Sequence, residues 1–158
     1  TGYRMTFRTA AIREDGFENV FGGYSLFEDT DASWNAWRQG VVVGANRGMI
    51  YHHRHPGGRA NRYGLGAMGV LNLAYLMAKH SYDLDLAESQ IEKSRRLCKR
   101  YARIRMILTW FRGFSDASAK EEVKGMQDSL SSIDRLYGTP RSKLAEVYLL
   151  IKGELGID

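Results

Sequence analysis

The chain has 158 residues, is 44% hydrophobic and 26% charged, and holds only two prolines. That length suits one domain or one subunit, and that composition excludes a disordered chain. The formal net charge of +5 points to an acidic partner such as RNA, anionic lipid or an acidic protein face, and the single cysteine, Cys98, excludes an internal disulfide and a cysteine-built zinc site.

Residues 1–29 read as an irregular N-terminal arm. Phe17, Val20, Phe21, Tyr24, Leu26 and Phe27 are apolar without a sustained period, and Gly16, Gly22 and Gly23 punctuate them. The stretch from Glu14 to Asp31 is acidic. The chain begins at Thr1 rather than Met, which leaves a processed form and a fragment both open.

Residues 30–80 are expected to form a helical hairpin. Thr30, Asp31 and Ser33 offer N-caps, and Trp34 and Trp37 stand at the start of the first helix, suited to a membrane interface or to a core. Ala32, Ala36, Gly40, Gly44 and Gly48 recur every four residues and so fall on one face. A second helix from Tyr63 to Ala78 carries Gly64, Gly66, Ala67, Gly69, Ala74 and Ala78. Strips of small residues let helix backbones touch, as in lipid, so Ala36, Gly40, Gly44, Gly48, Gly64 and Ala67 are the expected helix-packing residues. Spanning a bilayer takes about 20 apolar residues. Tyr63–Ala78 supplies sixteen, interrupted by Asn72, and Arg38 and Arg47 lie near the ends of the other segment where they can snorkel. The hairpin is therefore expected to cross a membrane, with two glycine-rich helices inside a soluble protein as the alternative. The connecting loop is basic through Arg54, Arg59 and Arg62. Its three histidines, His52, His53 and His55, have no acidic or cysteine partner nearby and read as solvated rather than as metal ligands.

Residues 81–114 read as a long basic helix. It either continues the previous one to about fifty residues or follows a break near Ser81, with Leu84, Ile91, Leu97, Tyr101, Ile104 and Leu108 as an apolar stripe. Between Lys93 and Arg112 there are eight basic residues and no acidic one. With the loop arginines, Lys93, Arg95, Arg96, Lys99, Arg100 and Arg103 are the expected lipid- or phosphate-contacting residues. A solvated face, or pairing with an acidic subunit, accounts for the same run.

Residues 115–158 are expected to form a C-terminal helical hairpin. Ser118 to Glu121 spells a capping box. Val123, Met126, Leu130, Ile133 and Tyr137 follow at helical spacing, and Gly138 stops the helix. Thr139 and Pro140 open the last helix. Its apolar face is Leu144, Val147, Ile151 and Leu155, and Gly156 ends it. The fold class expected is all-α.

Catalytic signatures are missing. Gly64, Gly66 and Gly69 spell GxGxxG, with Asp83 and Asp85 near the required distance, but a dinucleotide site needs a preceding strand and RHPGGRANRY is not one. There is no HExxH motif and no P-loop, and the DLDLAE stretch lacks the glycine and terminal Glu of a calcium loop. The expectation is a protein that is not an enzyme, with no catalytic residue, cofactor or metal.

The Gly40–Gly48 strip together with residues 63–79 resembles small two-span proteins of the mitochondrial inner membrane, of the cytochrome c oxidase assembly protein Cox-twenty family. It is similar, too, to the glycine-rich spans of the translocase-channel family and its related respiratory complex I accessory subunit. Gly40, Gly44, Gly48, Gly64, Gly66 and Gly69 match the spans, and Arg54 to Arg62 match the basic loop. The long basic helix and the C-terminal hairpin depart from the pattern. The resemblance implies a non-catalytic accessory subunit or assembly protein of a respiratory-chain or ATP synthase complex in that membrane, with the other subunits and anionic lipid as partners. A soluble, RNA-contacting protein of a mitochondrial ribosome-like particle is the second reading, resting on the run from Lys93 to Arg112 and the arginine-rich loop.

Overall fold

A computed structural model of the chain describes residues 5–12, 17–22, 26–40, 43, 61–113 and 116–157. Every regular element among them is helical: α1 (Thr9–Ile12), α2 (Glu28–Gln39), α3 (Arg62–Asp83), α4 (Glu88–Arg112), α5 (Ala117–Leu130), α6 (Ser132–Tyr137) and α7 (Leu144–Leu155), with 3-10 turns at Asn19–Phe21 and Arg141–Lys143. The expected all-α class is the observed one.

The layout follows from α3. The Asn61 side chain starts it by accepting the Gly64 N–H at 2.5 Å, which satisfies one orphan donor of the first turn. Alanine, leucine and methionine carry it forward, and it stops at Leu84, before Asp85 with φ 49°. Fifteen of its 22 residues are buried, so it has no solvent face wide enough for a surface helix and must be surrounded. α4, α5, α6 and α7 all pack on it, α5 most extensively.

The α3–α5 crossing is a contact between backbones. A Cβ on Gly66 would overlap the Glu122 carbonyl oxygen and stand 2.8 Å from its carbon. A Cβ on Gly125 would overlap the Tyr63 carbonyl oxygen and stand 2.9 Å from the Ala67 nitrogen. Gly69 gives a third close approach, to the guanidinium of Arg105 on α4. Small residues on the second segment do mediate close packing, but their counterpart is Gly125. The expected counterpart was the strip on the first segment. There α2 ends at Gln39, Gly40 is its exposed C-cap with nothing within 4 Å of a built Cβ, and Ala36 is half-buried. Gly44, Gly48, Arg54 and Arg59 lie outside the described residues. Gly64 and Ala67 are both buried; Ala67 faces the core, whereas Gly64 sits against its own cap residue Asn61.

Three further expectations change. α3 and α4 are separate helices, broken at residues 84–87, just past Ser81, so the single helix of about fifty residues does not form. α5 begins one residue before Ser118, capped by Asp116, whose carboxylate accepts the Ser118 N–H at 2.9 Å and its hydroxyl at 2.7 Å. The helix expected across 118–137 is two, parted at Ser131, and α7 packs on α6 and α3. No described helix is long and apolar enough to cross a membrane. The apolar run of α3 is spent inside the helical core, where Phe21, Tyr75 and Tyr148 meet edge-on or tilted with centroids 4.7–6.2 Å apart.

Buried polar groups in this core are cross-linked. Asn72 accepts from the Tyr148 hydroxyl at 2.6 Å and donates to the Leu26 carbonyl at 2.9 Å. Ser94 pairs with the Tyr137 hydroxyl at 2.8 Å, and Tyr82 donates to the Tyr137 carbonyl at 2.7 Å. A buried amide with partners on both sides holds a single arrangement, since any slip leaves it unsatisfied.

Candidate interaction face

At about 100° per residue, α4 divides into three rows. Ser94, Cys98 and Ala102, four apart, are its buried residues. Lys93, Arg96, Arg100 and Arg103 lie on the opposite crest and are all exposed. Between the two rows, on one flank, run Leu97, Tyr101, Ile104, Leu108 and Phe111, which are 45–75% exposed. Seven of the thirteen large exposed apolar residues among the described ones belong to this helix. That concentration makes α4, rather than the surface at large, the candidate interaction face.

The expected phosphate-contacting residues separate into two groups. Arg95 and Lys99 turn toward the protein. Arg95 lies 2.8 Å from Glu92 and 2.9 Å from Asp134, and Lys99 lies 2.6 Å from Asp134. Arg96 has only a 3.9 Å approach to Glu92. No described carboxylate pairs with Lys93, Arg100 or Arg103. Arg62 stands apart at the start of α3, 3.4 Å from Glu122, which Arg105 also approaches at 3.9 Å. Beyond the crest, a cleft of about 470 Å³ opens toward α5 between Met106, Ile107, Trp110 and Val123, with Arg103 and Lys120 at its rim and Phe111, the last of the flank row, at the end it shares with that row. Burial pushes the Cys98 thiol up to about 12, so the group stays protonated and inert despite the cations along its helix.

A second constellation was not foreseen. Asp31, an N-cap candidate by its place in the sequence, sits inside α2 and is 1% exposed. It accepts two hydrogen bonds from Lys79 Nζ, at 2.9 and 3.0 Å, and faces His80 Nε2 at 2.8 Å. Lys79 also reaches Glu18 at 2.8 Å, and the Trp34 ring lies over His80 with centroids 4.8 Å apart. Beside it a polar cleft of about 230 Å³ is lined by Glu18, Asn35, Arg38, Lys79, Asp83 and Arg141. Its charges are largely used internally, since Arg38 and Arg141 both engage Asp83, at 3.4 and 2.5 Å. The cluster clamps α2 and the N-terminal arm onto α3. Among the described residues, no three His, Cys, Asp or Glu side chains are placed to hold a metal ion. The one sequence signal for this cluster was Lys79-His80 at the end of an otherwise apolar helix.

Burial alone would raise the Asp31 pKa, but the hydrogen bonds from His80 and Lys79 outweigh it and leave the carboxyl below its usual value. Burial would lower that of Lys79, and its bonds to Glu18 and Asp31 likewise outweigh it and leave the ammonium above its own. The Asp31 contribution to stability is therefore complete above about pH 4 and lost as pH falls through the lowered folded value. The Lys79 contribution is complete below about pH 10 and lost as pH rises through the raised one. Trp34 emission, read in a Trp37→Phe, Trp110→Phe background, is expected to change as pH falls below about 4 and again as it rises above about 10. Emission unchanged through both limits would contradict the clamp.

No family model, curated protein or solved structure matches the chain.

Proposed function

We propose that the protein is a non-catalytic subunit that attaches to a larger assembly through the outer side of α4. The observation that carries this reading is the exposed row Leu97, Tyr101, Ile104, Leu108 and Phe111 beside the cationic crest. A monomer with no partner gains nothing from exposing such a row, and an attachment surface requires it. The resemblance of the glycine-bearing segments to inner-membrane proteins makes a mitochondrial energy-converting complex the proposed host. Attachment through α4 needs no membrane-crossing helix in this chain. RNA contact is the second reading, favoured by Lys93, Arg100 and Arg103, which no described carboxylate pairs. It stands second because three of the row's five members, Leu97, Ile104 and Leu108, are aliphatic and offer no ring on which a base stacks, and only Tyr101 and Phe111 do.

Native gel separation of cell extracts tests the reading. The chain is expected in a high-mass species, and a chain carrying Ile104→Asp and Leu108→Asp is expected to be released from it. Both positions are exposed, so circular dichroism of the purified variant should be unchanged. Migration of the unmodified chain as a monomer would end this proposal.

A further inference from the structure

We infer that the occupant of the α4 flank is an acidic amphipathic helix of another protein, packed in coiled-coil register; this rests on the reading just given and names the partner's chemistry. Leu97, Tyr101, Ile104, Leu108 and Phe111 are spaced by four, three, four and three residues. That is the heptad seam by which one helix receives the side chains of another, over a length of about 21 Å.

The seam's borders choose the occupant. With Leu97, Ile104 and Phe111 at d and Tyr101 and Leu108 at a, the g positions are Lys93, Arg100 and Ile107. The e positions are Cys98, which is buried, Arg105, whose guanidinium turns toward Gly69 and Glu122, and Arg112. A second copy of this chain in parallel would set Arg100 against Arg105 of that copy. An antiparallel copy would set the Lys93 and Arg100 borders against each other. Both place cation on cation, which opposes self-association. Glutamates or aspartates at the borders of a partner helix meet the same cations favourably. A bilayer fits less well. The apolar row lies about 80° around the helix from the arginine crest, so a flat surface meets the charges first, whereas a second helix reaches the flank directly.

The test uses the full chain and a labelled three-heptad peptide with leucine at a and d and glutamate at e and g. Its twin carries lysine at e and g. Fluorescence anisotropy is expected to show binding of the glutamate peptide at least about tenfold tighter than of its twin. Ile104→Asp should abolish that binding, and Arg100→Glu, which leaves Lys93, Arg105 and Arg112 at the borders, should narrow the preference. Equal affinity for the two peptides, or binding that survives Ile104→Asp, overturns the inference. So do three other results without peptide binding: partition to phosphatidylcholine–phosphatidylserine vesicles, binding to single-stranded RNA, or self-association lost on Ile104→Asp. If the glutamate peptide fails while Ile104→Asp still releases the chain from its assembly, the acidic helix is wrong and the subunit reading stands. If the chain runs as a monomer in extracts, the subunit reading fails whatever the peptide does.

Discussion

Replacing Gly66 with alanine is expected to lower the unfolding free energy by about 3 kcal/mol, the upper end for an overfilled interior. The added methyl has no flexible side chain to displace. It meets the Glu122 carbonyl, and across the same crossing Gly125 already lies against the Tyr63 carbonyl and the Ala67 nitrogen. Relief requires two helices to separate along their whole contact, which loosens the packing of α3 on its principal neighbour. For a chain of this size the loss corresponds to about 6–12 °C in melting temperature. The control is Gly153→Ala on the exposed side of α7, where nothing lies within 4 Å. There the helix propensity of alanine is expected to stabilise by about 0.5–1 kcal/mol. Thermal melts followed at 222 nm compare the two. A Gly66→Ala protein as stable as the parent would mean that the helices do not cross here.

The second large effect is expected at Asp31. Asp31→Ala leaves Lys79, whose side chain is 7% exposed, with Glu18 as its only described carboxylate, and removes the acceptor facing His80 Nε2. Removing one member of a buried charge cluster costs about 3–5 kcal/mol, because the remaining charge stays desolvated. The companion Asp31→Leu, Lys79→Met replaces the central pair by apolar groups and is expected to lie closer to the parent than Asp31→Ala does. Urea unfolding measures all three. A loss below about 1 kcal/mol for Asp31→Ala would be the behaviour of a solvated pair and would refute the clamp.

What the sequence disclosed was local. Helix type, the stops at Gly138 and Gly156, the basic run of α4 and the close-packing character of Gly64 to Gly69 could all be read from neighbouring residues. The partner of that glycine strip could not. Adjacency favoured the segment from Ala32 to Gly48, yet the interior of α5 carried a usable signal. Gly125 stands within AKEEVKGMQ, a run of strong helix formers, where a glycine costs about 1 kcal/mol unless contact demands it. Nothing near Asp31 announces Lys79, because the pairing spans two helices and exists only once they dock. Likewise the run from Lys93 to Arg103 looked uniform in one dimension. Docking of α6 divides it, because Asp134 takes Arg95 and Lys99 and leaves Lys93, Arg100 and Arg103 with no described carboxylate.

The enclosure of α3 has a consequence for the birth of the protein. Its closest partner, α5 (Ala117–Leu130), follows α3 (Arg62–Asp83) by about fifty residues, so α3 leaves the ribosome well before the surface that shields it. At about 5–20 residues per second, that interval is on the order of 2–10 s. For those seconds a helix built of Leu, Met, Val, Ala and Tyr waits with its apolar sides uncovered. Its demand for a holding chaperone is thus set by the order of synthesis, even though the finished fold hides it.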